Sequence, residues 1–217
     1  MEKPVFDFSI EHSGLTAAQA KRLLRRALLQ ARNARPVEEG RAVSQTVCER
    51  LAALPCLQNC SLLLLYYPTG SEIDLFPLAD FAAARGIPVG FPVCRSNPKT
   101  LVFRKATPKA PFVSGAFGIP VPPENAPVLA PDDRAVCILP ALGYDPTFTR
   151  IGYGGGYYDR FLQTFPGLAV GVCAEAFLCH TVFSEPHDRA VDLLVTEKRT
   201  IANQNPDRSK RLLNFEI

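Results

Sequence analysis

The sequence predicts an α/β fold: a single domain built on a mostly parallel sheet of five or six strands, with helices on both faces. Three observations carry this. Ser61–Tyr67 is a continuous apolar run, the kind of strand buried on both faces of a parallel sheet. Helical and strand-like stretches alternate along much of the chain, and a βαβ unit can be read between Ser61 and Val93. The chain has 217 residues, 47% of them hydrophobic and 21% charged, which is ordinary material for one domain with a substantial core.

Residues 1–15 show no period and read as a loose lead-in. Thr16-Ala17-Ala18-Gln19 is a capping box, so a helix should run from about Ala17 to Ala34. Lys21, Arg22, Arg25, Arg26, Arg32 and Arg35 lie in or beside it with no acid between them. Subtracting these six from the net charge of +3 leaves −3, so the basicity is local. Lys21, Arg25 and Arg32 share a face at spacings of four and seven. Three readings stand side by side for that face: solvation, a polyphosphate, or RNA. The absence of interleaved aromatic residues and the small net charge weigh against nucleic acid.

Pro36 breaks the helix and can start another, whose first turn carries Glu38 and Glu39 at the favourable dipole end. Val43, Val47, Leu51 and Leu54 recur at helical spacing, and Pro55 should end that element. After the Ser61–Tyr67 strand, Pro68-Thr69-Gly70-Ser71 turns the chain. Ile73 to Arg85 reads as a helix capped by Gly86, and Ile87–Val93 as the next strand. Glu72 then sits in a loop at a strand's carboxyl end, where such folds bind ligands; a plain dipole partner is the alternative.

Eight prolines interrupt residues 95–131 and leave room for one short strand, Thr100–Lys105. Phe117-Gly118-Ile119-Pro120 in this ordered loop offers either an aromatic wall for a flat ligand or a plug for the core. Ala135–Leu139, Leu168–Cys173 and Val191–Thr196 supply the remaining strands. His187-Asp188 falls in a loop before the last of them. The tail from Ala202 is polar, with Leu212, Leu213 and Phe215 able to dock.

Seven cysteines are an odd number in a chain whose start lacks a basic-then-apolar pattern, which argues for reduced thiols. Cys56 and Cys60 have no partner pair to complete a zinc site. The longest aliphatic run is too short to span a bilayer, so no membrane partner and a cytoplasmic location are expected.

The densest chemistry lies between Arg150 and Arg160. Gly152, Gly154, Gly155 and Gly156 fall within five positions, directly before Tyr157-Tyr158-Asp159 and a short helix read as Tyr157 to Phe165. Glycines ahead of a helix N-terminus allow backbone N–H groups to approach an anion. Arg150 adds an anion clamp and Asp159 a candidate Mg²⁺ ligand, which suits a nucleoside triphosphate better than a solvent-exposed turn. The Walker and dinucleotide patterns both fail here, so the loop alone says only phosphate.

The wider string, Leu139-Pro140-Ala141-Leu142-Gly143-Tyr144-Asp145 followed by Arg150-Ile151-Gly152-Tyr153-Gly154-Gly155-Gly156-Tyr157-Tyr158-Asp159, resembles the signature of the 5-formyltetrahydrofolate cyclo-ligase (5,10-methenyltetrahydrofolate synthetase) family. The likeness is strong over Leu139–Arg160 and weaker from Lys21 to about Thr200. It implies conversion of 5-formyltetrahydrofolate to 5,10-methenyltetrahydrofolate with MgATP, releasing ADP and phosphate. The formyl oxygen is phosphorylated, N10 closes a five-membered ring, and phosphate departs.

The resemblance further implies roles. Arg150 would be catalytic and, with Gly152, Tyr153, Gly154, Gly155, Gly156, Tyr157 and Tyr158, would hold the phosphates of ATP. Lys21 and Arg25 would contact ATP from the first helix. Glu72 and Phe117 would line the folate site, and Asp159 and Asp188 would bind Mg²⁺. The implied partner is the folate alone, in mono- or polyglutamylated form, acted on by a monomer or weak dimer. Two departures stand out. Tyr153 and Gly155 replace an arginine and a lysine that some relatives carry, and Leu178 falls where relatives often have glutamine. A non-catalytic folate- or nucleotide-binding protein and an ATP-independent sugar-phosphate isomerase-like enzyme remain alternatives.

Overall fold

The computed structural model describes residue 6, residues 14–205, and residues 211, 212 and 215. Most of the proposed lead-in, part of the tail and Leu213 lie outside the described residues. Helix α1 (Ala17–Asn33) begins as its capping box dictates: the Thr16 side chain accepts from the Gln19 N–H, and the Gln19 side chain accepts from the Thr16 N–H at 2.8 Å. Helix α2 (Val37–Ala52) follows with Pro36 as its N-cap and Glu38 and Glu39 in its first turn. It ends three residues before Pro55, which instead opens the one-turn helix α3 (Pro55–Gln58).

Strand β1 (Leu62–Leu64) is shorter than the apolar run that contains it. Helix α4 (Phe76–Ala84) starts three residues later than expected, because Asp74 turns the chain by accepting from the Phe76 N–H at 2.9 Å. Gly86 follows it at φ +72, the left-handed conformation that glycine adopts at a helix end. Strands β2 (Val89–Ser96) and β3 (Lys99–Lys105) form a hairpin. The proline-rich segment contributes β4 (Val113–Ser114), β5 (Pro120–Val121) and β6 (Val128–Leu129). Then come β7 (Ala135–Leu139), a ribbon of β8 (Gly143–Tyr144) and β9 (Arg150–Ile151), and helix α5 (Tyr157–Leu162). Strands β10 (Leu168–Val172), β11 (Leu193–Val195) and β12 (Thr200–Ala202) complete the order.

Among the described residues, one sheet runs β12-β11-β10-β7-β1-β2-β3-β6. Its five central strands, β11 through β2, are mutually parallel, as the buried apolar runs require. The expected five or six strands are thus extended to eight by antiparallel β12 at one edge and by β3 and β6 at the other. The extra strand at the β6 edge is two residues long, too short to leave a period in the sequence.

Both sheet faces are buried, and alternation decides which residue goes where. Leu63, Val136, Ile138 and Val170 pack with Leu24, Leu28, Val47, Leu51 and Leu78 from α1, α2 and α4. Leu62, Leu64, Cys137, Leu139 and Ala169 pack on the other side with Leu162 of α5, Phe165 and Tyr144. Tyr144 fits only because Gly171 carries no side chain: a Cβ there would lie 2.4 Å from the tyrosine ring. All seven cysteines are free thiols, as their odd number suggested. Leu212 and Phe215 are buried against the α1–α2 side of the core.

The order of the strands places the site. The chain leaves β1 toward β2 on one side, whereas β7 lies on the other side of β1 and continues toward β10. Connections that diverge in this way leave a crevice at the carboxyl ends of the two neighbouring strands.

Candidate active site

A cavity of about 780 Å³ occupies that crevice. Its wall is assembled from α1, the turn after β1, the β2–β3 hairpin, the proline-rich loop, the glycine loop with the start of α5, and the segment before β11. Every residue singled out in the sequence as a site candidate, from Lys21 to Asp188, lies on this wall. Segments far apart in sequence therefore meet at one place.

The glycine loop is shaped by arginines. Gly154 and Gly156 adopt φ +94 and +65, the left-handed region that side chains resist. Arg25 Nε donates to the Gly152 carbonyl at 2.9 Å, and Arg160 Nη2 donates to the Gly155 carbonyl at 2.7 Å. A Cβ on Gly152 would come within 2.8 Å of Arg150 Nη1, and one on Gly154 within 3.5 Å of Arg25 Cζ. The glycines make room for guanidinium groups as well as for turns. Helix α5 begins at Tyr157 as expected but stops at Leu162, three residues short of Phe165.

Arg150 and Asp159 face each other across the loop. Arg150 Nη2 lies 2.9 Å from Asp159 Oδ1, with side chains 7% and 16% exposed. This ion contact lacks the alignment of a hydrogen bond, and Arg150 Nε has no hydrogen-bond partner. The Tyr158 ring lies 5.5 Å from the guanidinium carbon, and its buried hydroxyl is likewise unpartnered. Burial pushes that phenol well above its ordinary value of 10.0, with Cys137 adding and Arg150 opposing, so it stays a proton donor at neutral pH. Two unpaired buried donors thus line the same wall.

Lys21, 6% exposed, is held by two acids, Asp188 Oδ2 at 2.6 Å and Glu185 Oε2 at 2.8 Å. Burial alone would raise the Asp188 carboxyl, but the Lys21 hydrogen bond, the Glu185 N–H and the Lys21 charge together hold it below its ordinary range. Among the described residues, Glu185, His187 and Asp188 form a cluster of metal-type donors within 4.8 Å of one another. Asp159 is outside that cluster, held instead by Arg150 and by the Arg189 N–H at 3.4 Å. The solvated-face reading of the basic stripe fails for Lys21, Arg25 and Arg32, which turn inward, and holds for Arg22 and Arg26.

Glu72 Oε2 accepts from the Thr69 N–H and hydroxyl at 2.9 and 3.0 Å, so it orders its own turn as well as facing the cavity. Phe117 is 75% exposed at φ 61, with its ring 6.2 Å from Tyr157 in edge contact. It is not a core plug. Leu178 is 8% exposed within the core and does not line the cavity, so this departure from the family pattern falls outside the pocket. Two contributions went unread in the sequence. Glu185 stands two residues before His187 in the loop ahead of β11, and Arg32 grips Tyr153 from the basic face of α1.

Comparison with known proteins agrees with this geometry. The sequence profile of the 5-formyltetrahydrofolate cyclo-ligase family matches residues 17–197. The 5-formyltetrahydrofolate cyclo-ligase of Mycolicibacterium smegmatis is 32% identical over 192 residues, covering 84% of this chain and 96% of that protein. That of Escherichia coli is 27% identical over 138 residues, covering 63% of this chain and 76% of that one. The solved structure of Aquifex aeolicus 5,10-methenyltetrahydrofolate synthetase superposes with a TM-score of 0.75 at 30% identity, over 85% of this chain and 93% of that one. The Mycoplasma pneumoniae 5,10-methenyltetrahydrofolate synthetase, at 21% identity and a TM-score of 0.67 over 82% and 98% of the two chains, shares the fold.

Proposed function

The chain belongs to the 5-formyltetrahydrofolate cyclo-ligase family, and from that premise we propose how its pocket carries out the ligase reaction with MgATP. The enzyme converts 5-formyltetrahydrofolate to 5,10-methenyltetrahydrofolate. ATP supplies the phosphoryl group that makes the formyl oxygen a leaving group. Positioning and neutralisation of charge are then the main tasks left to the protein.

The observation that carries the reading is the pair of unpartnered buried donors, Arg150 Nε and the Tyr158 hydroxyl, beside the glycine loop. Buried polar groups without partners are costly, and a polyphosphate oxygen offers both an acceptor. In this reading Arg150 and Tyr158 orient the transferring group, with the N–H groups of Gly152 to Tyr157 around it. Lys21 and Arg25 approach the same anion from α1. Glu72 and Phe117 supply an acceptor and an aromatic wall for the pterin.

The oxygen-donor chemistry of Asp159 and Asp188 suits Mg²⁺, which when bound neutralises phosphate charge. Both carboxylates are held by cations here, Arg150 and Lys21, which a bound metal ion would displace from them. Arg150 and Lys21 would then be free to meet phosphate.

The division of labour is testable by kinetics. Replacing Lys21 and Arg25 together with alanine should raise the KM for ATP more than that for folate, and Glu72→Gln should do the reverse. Equal shifts in both constants for both variants would count against this division of labour.

A further inference from the structure

Arg32 is the third basic residue of the α1 stripe, and it does not itself line the cavity. Its side chain is buried, and its planar group carries only donors. Nε donates to Ser71 Oγ at 3.0 Å, and that hydroxyl donates to Asn33 Oδ1 at 2.6 Å. Nη2 donates to the Tyr153 hydroxyl, with the guanidinium carbon 5.6 Å from the ring centroid. Ser71 belongs to the turn that carries Glu72, whereas Tyr153 belongs to the glycine loop. One buried guanidinium therefore ties together two separate walls of the pocket.

The direction of these bonds matters. Because the Tyr153 oxygen accepts from arginine, its own proton remains available to an acceptor. Glu72 follows Ser71 in the chain, and both Glu72 and Tyr153 line the cavity. Arg32 thus fixes Tyr153 beside the turn that carries the acid facing the cavity.

Packing does not account for the contact. Tyr153 is 55% exposed and stands between Gly152 and Gly154, so the ring gains little burial where it is. A half-exposed ring pinned by a buried charge is being positioned.

We propose that Arg32 is a positioning residue that sets the glycine loop against the Glu72 turn, and that through it Tyr153 serves the folate end of the pocket instead of the phosphates. The proposal rests on the functional reading above and assigns Tyr153 a different end of the site from its neighbours in the loop. The Tyr153 hydroxyl, fixed by Arg32, is thereby presented beside Glu72 at the part of the pocket that receives the pterin.

The test measures dissociation constants for 5-formyltetrahydrofolate and for a non-hydrolysable MgATP analogue, together with melting temperature. Tyr153→Phe keeps the ring and removes the hydroxyl at a half-exposed site, so folding is spared. It should weaken folate binding roughly threefold to tenfold, the scale of one ordinary hydrogen bond. Affinity for the MgATP analogue and melting temperature should stay near those of the unaltered chain. Arg32→Lys keeps the charge but cannot span both partners, and should give the same selective loss. Joining it to Tyr153→Phe should add nothing further, since both changes cut one chain of contacts.

Equal losses of both affinities, or additive effects of the two substitutions, would overturn the proposal. So would unaltered folate affinity in Tyr153→Phe while the unaltered chain binds folate. If the unaltered chain binds no folate, the functional reading itself falls and takes this one with it, an outcome separate from the others.

Discussion

Replacing Arg150 with alanine separates two jobs that its position combines. Removing one partner of a buried ion pair costs about 3–5 kcal/mol where burial is complete. Arg150 is 7% exposed and Asp159 16%, so some of the stranded carboxylate reaches solvent. A loss of about 2–3 kcal/mol is expected on that account. For a chain of this size that lowers the melting temperature by roughly 4–12 °C. Asp159→Asn retains an acceptor oxygen and should cost less. Turnover should respond differently from stability. Assayed well below its melting temperature, Arg150→Ala should lose about a hundredfold in kcat, the effect of removing one preorganised donor. Asp159→Asn should recover part of its activity as Mg²⁺ is raised, and Arg150→Ala should not. The assay pairs a thermal melt with Mg²⁺-dependent turnover on both variants. Unaltered turnover in Arg150→Ala despite the lowered melting temperature would refute the catalytic assignment and leave the pair purely structural. Loss of turnover in both with no Mg²⁺ response in either would refute the metal assignment.

The Lys21–Asp188 contact predicts an acid limb. The folded carboxyl sits below its ordinary value of 3.8, so its stabilising contribution is present above about pH 4 and is lost as pH falls through that region; melts of the chain and of Lys21→Met across this range should differ in slope, and identical slopes would remove the contact from the account. Six of the seven thiols are buried and Cys94 is intermediate, with burial raising Cys56 to about 12 and Cys60 to about 11. A thiol reagent should therefore modify Cys94 first, and pocket ligands should slow it because Cys94 lines the cavity; several thiols reacting at one rate would contradict this. Gly171→Ala drives a methyl group into the Tyr144 ring and should cost about 1–3 kcal/mol, whereas Gly40→Ala meets open space on α2 and should be neutral or stabilising in the same melts.

Much of the fold was legible because local rules and tertiary demands agree. The capping box at Thr16 starts α1 where it should, and the apolar runs around Leu63, Cys137 and Val170 become parallel strands buried on both faces. What escaped reading depends on pairing at a distance. Strand β6 and the β8–β9 ribbon are two-residue elements defined by their partners, so no periodicity marks them. Asp74 shortened α4 through one side-chain bond to the backbone that composition does not reveal.

The site divides in the same way. The glycine loop, Lys21, Glu72 and Phe117 were visible through residue type and spacing, and the fold gathers them on one wall. Their partners were not visible. That Asp188 and Glu185 share Lys21 and that Arg32 reaches Tyr153 follow from a strand order that brings residues more than a hundred positions apart together, whereas Asp159 faces Arg150 through the local path of the glycine loop. The spacing of Lys21, Arg25 and Arg32 was the available signal for the last of these. It pointed to a shared face without saying that the face turns inward.

The most direct test of the central claim follows absorbance of the methenyl product when the purified protein meets 5-formyltetrahydrofolate and MgATP. Product should form only when both are present, with one ADP and one phosphate released for each molecule made. Product formed without ATP, or ATP hydrolysed without product, would contradict the account.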